Sequence, residues 1–293
     1  MIPDRIIKAL EEYFSTLRPS GFQLVSAAPL GGGSINEVYQ LKSVQGDCFC
    51  LKYNRSDSFP GMFEAEAMGL QLMAGPDVIR VPQVIFHRSL PDYSFLLLEY
   101  VASSKPINRF FENFGQKLAR LHKNKSELYG LDYNNYMGSL RQNNCFHSGW
   151  VDFFIEERLD KQVRLAADKG LLPESAEKQF SRLYTKLDEL LTEEPPCLVH
   201  GDLWSGNYIV SENGEACLID PAVYYGNRET DLAMSTLFGG FSPEFYSSYN
   251  EEYPLIPGWK ARLELYNLYP LLIHLNLFGS GYLGSIMNIL RRF

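Results

Sequence analysis

An acid, an amide and a second acid stand close together in the sequence, each beside a short apolar segment. Asp202 and Asn207 belong to the segment His200-Gly-Asp-Leu-Trp-Ser-Gly-Asn207, and Asp220 follows Asn207 by thirteen residues. Transfer of a phosphoryl group to a hydroxyl requires such a set. One carboxylate orients the alcohol and accepts its proton, while other oxygens hold Mg²⁺ on the nucleotide phosphates. These three residues are therefore candidates for phosphoryl-transfer chemistry.

A structural interpretation of the same residues stays open, in which Asp202 closes a turn or caps a helix and Asn207 forms a second turn. The Asp-x-x-x-x-Asn spacing is that of the kinase catalytic loop, and Asp220 stands where the metal-binding Asp of Asp-Phe-Gly would stand. Three further kinase features lie upstream in the right order, and they favour the chemical interpretation.

The first of these features is a glycine-rich turn between two predicted strands. Glycine lets backbone N–H groups approach phosphates closely. Asparagine occupies the place of the third glycine, and it tolerates positive φ better than most residues. A purely structural turn is the alternative. The residues predicted to surround the ATP phosphates are Gly31, Gly32, Gly33, Ser34 and Asn36.

The second feature is Lys52, the only lysine of a predicted strand, at the end of Phe49-Cys-Leu-Lys52. A predicted helix follows and carries Glu64 and Glu66. An ion pair from that helix would hold the lysine toward the phosphates. A solvated strand lysine is the alternative.

The third feature is the apolar segment Phe95–Val101, after which the chain turns polar. In kinase-like folds this segment connects two lobes, and the backbone C=O of Glu99 and N–H of Val101 would hydrogen-bond the adenine. An edge strand that enters a loop is the alternative.

The elements that position these residues fall into two groups. Residues 20–101 alternate strand-like runs with turns and switch once to helical spacing over 62–73, which predicts a five-stranded antiparallel sheet with one inserted helix. Beyond residue 101 the spacing is mostly helical, with short strands near the candidate site. The sequence predicts an α+β, protein-kinase-like bilobal fold, with a nucleotide-binding lobe over 1–101 and a mainly helical catalytic and substrate-binding lobe over 102–293.

Composition excludes several classes of protein. Hydrophobic residues make up 45% of the 293 residues, enough to bury a core, and 27 basic against 35 acidic side chains give a net charge of −8. This balance argues against a partner held by long-range positive charge, such as nucleic acid or a membrane surface. The longest apolar runs are shorter than the ~20 residues that span a bilayer. We expect a cytoplasmic protein.

Several motifs together closely resemble the fructosamine kinase (ketosamine-3-kinase) family, which is related to aminoglycoside and choline phosphotransferases. They are His200-Gly-Asp-Leu-Trp-Ser-Gly-Asn207, Ile219-Asp-Pro-Ala-Val-Tyr-Tyr-Gly226, and Arg228-Glu-Thr-Asp-Leu-Ala-Met234. The resemblance covers nearly the whole chain.

The resemblance implies ATP-dependent phosphorylation of a sugar hydroxyl on a ketosamine, the rearranged adduct of a sugar with an amine. It implies that Asp202 is the base, that Mg²⁺ binds to Asn207 and Asp220, and that Glu66, rather than the alternative Glu64, pairs with Lys52. Support of the catalytic loop would come from His200 and Asp231. Candidate substrate contacts are Trp204, Tyr225 and Arg228, each with structural packing as its alternative.

Two other functions remain open at this point. A kinase of another small alcohol, such as an aminoglycoside, choline or a sugar, keeps the chemistry and changes the acceptor. A catalytically inactive nucleotide-binding protein is a different class, and the complete set of Lys52, Asp202, Asn207 and Asp220 argues against it. The sequence does not distinguish a free from a protein-bound ketosamine and does not indicate the oligomeric state.

Overall fold

The computed structural model describes residues 2–18, 21–31 and 35–293. Its largest sheet has five antiparallel strands in the order β1-β2-β3-β5-β4. Their bounds are β1 Leu24–Pro29, β2 Glu37–Ser43, β3 Cys48–Arg55, β4 Val84–Ser89 and β5 Tyr93–Glu99. Helix α1, Asp4–Leu17, precedes the sheet, and helix α2, Met62–Ala74, is inserted between β3 and β4. The predicted sheet and its inserted helix are confirmed.

Helix α1 is an element that the sequence interpretation does not include, and it completes the packing of the sheet. Its residues Ile6, Leu10 and Phe14 are buried against one face of the sheet, where Phe49 and Leu51 of β3 also point. Helix α2 covers the opposite face and packs there on β5. Since successive strand residues point to opposite faces, the α2 face of β3 receives its even-numbered residues.

The rest of the chain is mainly helical. Its helices are α3 Phe110–Leu121, α4 Trp150–Phe153, α5 Asp160–Asp168, α6 Glu174–Tyr184, α7 Leu187–Leu190, α8 Glu229–Leu237, α9 Pro243–Glu252, α10 Trp259–Tyr266, α11 Leu268–Phe278 and α12 Leu283–Leu290. A π-helical segment, Phe154–Leu159, joins α4 to α5, and a short 3₁₀ turn spans Ser280–Tyr282. The mainly helical prediction for this part is confirmed.

Six short strands form three antiparallel pairs, β6 with β7, β8 with β11 and β9 with β10. Their bounds are β6 Asn135–Met137, β7 Leu140–Gln142, β8 Cys197–Val199, β9 Tyr208–Val210, β10 Ala216–Leu218 and β11 Tyr224–Gly226. The short strands that the sequence predicts near the candidate site, over 197–199, 208–210 and 216–219, correspond to β8, β9 and β10, whereas the β6–β7 hairpin and β11 were not predicted. The three predicted strands are continuous apolar runs, while β6, β7 and β11 contain Asn, Arg, Gln or Gly and lack that signal.

The helical spacing of Phe180, Leu183, Leu187, Leu190 and Leu191 predicts one continuous helix, which is divided in the structure. The apolar residues between 180 and 191 belong to two helices, α6 and α7. The Thr185 hydroxyl donates a hydrogen bond of 2.8 Å to the Arg182 carbonyl at the end of α6. A hydroxyl that satisfies a terminal carbonyl competes with continuation of the helix, which accounts for the break.

No helix in the described part of the chain is both long and apolar enough to cross a membrane.

Candidate functional site

A cleft of about 190 Å³ lies between the α2 face of the large sheet and the loops that follow β8 and β10. Its lining includes Lys52 from β3, Glu66 from α2, and Asp202, Asn207 and Asp220 from the two loops. Five charged or amide side chains that are distant in the sequence therefore converge on one space. Convergent polar groups in a concave site are typical of a binding or catalytic centre.

Lys52 is buried, and its ammonium lies between two carboxylates. Its Nζ is 2.5 Å from Glu66 Oε1 and also contacts Asp220 Oδ1. Burial by itself lowers the pKa of a lysine, but here the charges of Asp220 and Glu66 outweigh burial and raise the Lys52 pKa. The lysine is held in its charged form.

The structure pairs Lys52 with Glu66 and leaves Glu64 exposed to solvent. Residues two apart on a helix do not share a face. Glu66 lies beside Phe63 and Ala67, which pack toward the sheet, so only the second glutamate can reach the lysine. Burial raises the pKa of Glu66, although the lysine charge opposes this.

Asp202 follows β8 and is held by the amide of Asn207. Asn207 Nδ2 donates to Asp202 Oδ2 at 3.0 Å and to the Asp202 carbonyl at 2.8 Å. Burial raises the pKa of Asp202 to about 7, although the hydrogen bond from Asn207 lowers it. A carboxylate with a pKa near neutrality is suited to accept a proton during catalysis.

The backbone before Asp202 makes a close turn that only glycine permits. Gly201 has φ +82°, and a Cβ at this position would lie 2.1 Å from the Ala222 carbonyl oxygen. Non-glycine residues avoid this φ region, and a contact of that length cannot be relieved by moving a side chain. Gly201 thereby lets the loop of Asp202 approach the segment that follows Asp220.

The Asp231 side chain of α8 accepts hydrogen bonds from the backbone of this turn. Its Oδ2 accepts the His200 N–H at 2.7 Å and its Oδ1 accepts the Gly201 N–H at 2.9 Å. His122 Nε2 lies 3.1 Å from Oδ2. Burial raises the pKa of Asp231, but the hydrogen bond and charge of His122 reverse that effect and lower it. Asp231 is not among the residues that line the cleft, and its hydrogen bonds hold the loop of Asp202 in place.

His200 is fully buried beneath the same turn. Its Nε2 lies 2.9 Å from the Ile219 carbonyl, next to Asp220. The imidazole therefore joins the loop that carries Asp202 to the strand end that carries Asp220. Burial lowers the pKa of His200, so the ring is neutral and acts here as a hydrogen-bonding group.

The oxygens of Asn207 and Asp220 are suited to a hard divalent cation. Because the Asn207 nitrogen is bonded to Asp202, its amide oxygen faces the cleft, and it accepts no hydrogen bond from the residues that the structure describes. Asp220 has φ +55°, a conformation tolerated by Asp, and its side chain is 48% exposed. Carboxylate and amide oxygens are the ligands that Mg²⁺ prefers. The residues present fit the metal.

Only part of the predicted phosphate loop can be described. Gly32, Gly33 and Ser34 lie outside the described residues, and Gly31 is exposed. Asn36 lines the cleft, and its side-chain oxygen accepts a hydrogen bond of 2.8 Å from the Asn54 amide of β3. This bond ties the end of the loop to the strand that carries Lys52.

Glu99 and Val101 lie at the end of β5 and are not among the residues that line the cleft. The Glu99 side chain pairs with Arg80 at 2.5 Å. In the described part of the chain, the backbone N–H of Val101 has no hydrogen-bond acceptor. The Glu99 carbonyl and the Val101 N–H, which are expected to bind the adenine, thus lie in an extended segment that is not part of the cleft lining.

The three predicted substrate contacts have different positions. Trp204 lines the cleft and meets the Phe238 ring at 5.7 Å, edge to face. A Cβ at Gly206 would lie 2.3 Å from the indole, so this glycine makes room for the ring. The structure does not bring Tyr225 to the cleft, because it lies in β11 and pairs with Leu198 of β8.

Arg228 is also not at the cleft, and its predicted substrate contact is replaced by a structural role. It is 2% exposed, and its guanidinium bonds Glu194 at 2.6 and 2.9 Å while it covers the Tyr253 ring at 3.8 Å. A buried cation requires a partner, and the partners of Arg228 are all within the fold.

Sequence reasoning missed one wall of the cleft. Residues of the β6–β7 hairpin and of α11 also line the cleft, and none of them belongs to a motif with recognisable spacing. They are Asn135, Tyr136, Met137, Gly138, Ile273, His274, Leu277 and Phe278.

A five-stranded sheet covered by two helices, set against a mainly helical part with a polar cleft between them, is the architecture of the protein-kinase-like phosphotransferases. Solved kinases that act on small molecules share this fold. Within that class, the chain belongs to the fructosamine kinase family, whose sequence model matches residues 6–293. It is an enzyme of the phosphotransferase type.

Similar proteins cover nearly the full length. A probable ketoamine kinase of Synechocystis sp. is 39% identical over 92% of this chain and 91% of its own. A chloroplastic protein-ribulosamine 3-kinase of Arabidopsis thaliana is 37% identical over 92% of this chain and 82% of its own. The crystal structure of a candidate fructosamine-3-kinase from Thermobifida fusca has a TM-score of 0.85 and 34% identity, and covers 92% of this chain and 93% of its own.

Proposed function

We propose that this protein transfers the γ-phosphoryl group of ATP to a sugar hydroxyl of a ketosamine, a fructosamine or a ribulosamine. The observation that carries the proposal is the convergence of Lys52, Asp202, Asn207 and Asp220 on one cleft, in a chain of the fructosamine kinase family. The ribulosamine kinase among its relatives supports the substrate class.

In the proposed reaction, the acceptor hydroxyl lies against Asp202. The carboxylate orients the hydroxyl and takes its proton as the oxygen attacks the γ-phosphorus, and the bond from that phosphorus to the β-phosphate oxygen breaks to leave ADP. The pKa of Asp202, raised by burial to about 7, suits this acceptance. Trp204 offers a flat apolar wall to one face of the sugar.

The nucleotide side of the site uses the remaining residues. Lys52, held by Glu66, binds phosphate oxygens, and the loop 31–36 covers the phosphates. The Glu99 carbonyl and the Val101 N–H bind the adenine. Asn207 and Asp220 would hold Mg²⁺, which neutralises the negative charge of the phosphates when bound.

The proposal also assigns a separate function to each of the two parts of the chain. We assign nucleotide binding to residues 1–101 and acceptor binding to residues 102–293. We also propose that the enzyme acts in the cytoplasm, where ATP is abundant and thiols stay reduced, since its five cysteines are free.

A screen of ATP consumption by the purified enzyme tests the function. Acceptors are fructosamines and ribulosamines, each free and on a lysine peptide, with choline and an aminoglycoside for comparison, and ³¹P NMR locates the phosphorylated hydroxyl. We expect turnover with a ketosamine. Turnover with choline or the aminoglycoside alone would overturn the substrate class, and tight ATP binding without any turnover would indicate an inactive nucleotide-binding protein.

A further inference from the structure

Residues of the β6–β7 hairpin line the cleft and also contact the part of the molecule that contains the large sheet. At its tip, Gly138 has φ +60°, and a Cβ there would lie 2.9 Å from Leu277 Cδ1 and 3.4 Å from Ile35 Cδ1. The tip is thus enclosed between α11 and the end of the phosphate loop. Met137 of the same hairpin lines the cleft.

The base of the hairpin is bonded to the segment that follows Asp220. The Asn135 amide donates to the Val223 carbonyl at 2.7 Å, and the Gln142 amide donates to the Ala222 carbonyl at 2.9 Å. Both amide side chains are buried. Buried hydrogen bonds of this kind are costly to break, so the hairpin and the Asp220 segment form one rigid body.

Strand β6 of the hairpin also contacts the start of helix α2, through Tyr136. The Tyr136 hydroxyl donates a hydrogen bond of 2.9 Å to the Pro60 carbonyl, and its ring meets the Phe59 ring edge to face at 6.3 Å. Pro60 precedes Gly61, the N-cap residue of α2. Helix α2 in turn carries Glu66, the partner of Lys52.

We propose that Tyr136 is a positioning residue for phosphoryl transfer, which couples the acceptor side of the cleft to the helix that presents Glu66 to Lys52. This inference rests on the proposed function. Without the Tyr136 hydrogen bond, only packing such as the Tyr136–Phe59 ring contact holds the start of α2 to the hairpin, and Glu66 is positioned less firmly. Tyr136 and Gly138 are partly exposed and line the cleft, so an acceptor bound there contacts the same hairpin that holds the start of α2, and acceptor binding is coupled to the Lys52–Glu66 pair.

A double-mutant cycle tests this coupling. Tyr136→Phe removes only the hydroxyl, at a half-buried position, and is compared in the wild-type and Glu66→Gln backgrounds. We expect kcat to fall about fivefold in the wild-type background, the effect of one hydrogen bond, and less than about twofold in the Glu66→Gln background, because the contact acts through that residue. Equal losses in both backgrounds, or no loss in either, would overturn the proposal.

Tyr133→Phe is the matched control. The Tyr133 hydroxyl lies on the same segment, is buried and makes no hydrogen bond among the described residues, so its removal deletes the same atom without breaking a contact. We expect unchanged kcat in both backgrounds; a loss equal to that of Tyr136→Phe would also overturn the proposal.

The cycle is measured on ketosamine turnover and, separately, on ATP hydrolysis by water. If no ketosamine is phosphorylated, the proposed function fails, while the hydrolysis cycle still decides whether Tyr136 acts through Glu66.

Discussion

The acids that face the cleft and the acid beneath it differ in what surrounds their oxygens. Asp202 receives one side-chain hydrogen bond, from Asn207, and Asp220 contacts the Lys52 ammonium with its side chain half-exposed. Asp231, a few ångströms away behind the turn, has both oxygens bonded, to the His200 and Gly201 backbones, with His122 beside it.

Burial by itself raises the pKa of both Asp202 and Asp231, but the net shift depends on the hydrogen-bond donors and charges around each carboxylate. Asp202 has too few donors to offset burial, and its pKa rises to about 7. Asp231 has enough, and its pKa falls. An acid that takes part in proton transfer needs an open oxygen and a raised pKa, whereas an acid that supports a loop needs every oxygen satisfied.

The largest expected effect comes from the cleft acid. Asp202→Asn keeps the shape and removes the proton acceptor, so kcat should fall by about 10²–10⁴-fold. The ATP dissociation constant and the melting temperature should stay close to wild type, because an amide oxygen at this position can still accept the hydrogen bond from Asn207. Steady-state kinetics and nucleotide titration check both. Retained activity would remove Asp202 from its assigned role.

The second prediction concerns the supporting acid. Asp231→Asn replaces one acceptor oxygen by a donor that faces donor N–H groups, and should lower the free energy of unfolding by about 2–4 kcal/mol. Urea denaturation measures this loss. Asp188→Asn, at an exposed position, is the control and should change stability by less than about 0.5 kcal/mol. Equal stability of the two variants would contradict the supporting role.

The third prediction uses the two glutamates of α2. Glu66→Gln weakens the hold on Lys52 and should lower kcat/KM for ATP by about 10–100-fold, the equivalent of about 1.4–2.7 kcal/mol. Glu64→Gln makes the same chemical change on the exposed side of the helix and should leave kcat/KM unchanged. A reversed order would mean that the pairing in the active enzyme differs from the one described.

The smallest expected effect is a pH dependence of stability. Burial lowers the pKa of His122, so below the unfolded value of ~6.5 the unfolded chain binds more protons and stability falls as the pH falls. The raised pKa of Asp202 has the opposite effect, because the folded protein binds the additional proton and stability rises as the pH falls. Wild type is therefore compared with His122→Gln, since Asp202 contributes equally to both proteins and its effect cancels in the difference.

From pH 7 to 5, wild type should lose up to about 2 kcal/mol more than His122→Gln, which keeps a neutral donor near Asp231. Urea denaturation at both pH values, with a chelator present, measures the difference. Parallel losses in the two proteins would show that His122 is not the group that titrates.

The parts of the molecule that could be predicted are those determined by neighbours in the chain. The strands of the large sheet and helix α2 follow from local periodicity and turns, and their bounds agree with the prediction to within a few residues. Helix α1 was not predicted, although its buried residues Ile6, Leu10 and Phe14 have helical spacing.

The candidate site shows the same division. The order of the glycine turn, Lys52 and the Asp202 loop indicates the chemistry, because each motif is short and contains its own turn. The position of Arg228 could not be predicted from a local motif, because its partner Glu194 lies 34 residues earlier and no sequence pattern joins the two.

By itself, the sequence determined the class of reaction and the number and antiparallel direction of the strands in the large sheet, because each motif and each strand–turn pattern is short and local. Only the tertiary structure decided which glutamate reaches Lys52, that Arg228 is buried on Glu194, and that the hairpin of Tyr136 lines the cleft. These outcomes depend on which faces pack together, and packing joins residues far apart in the chain through burial and hydrogen bonding.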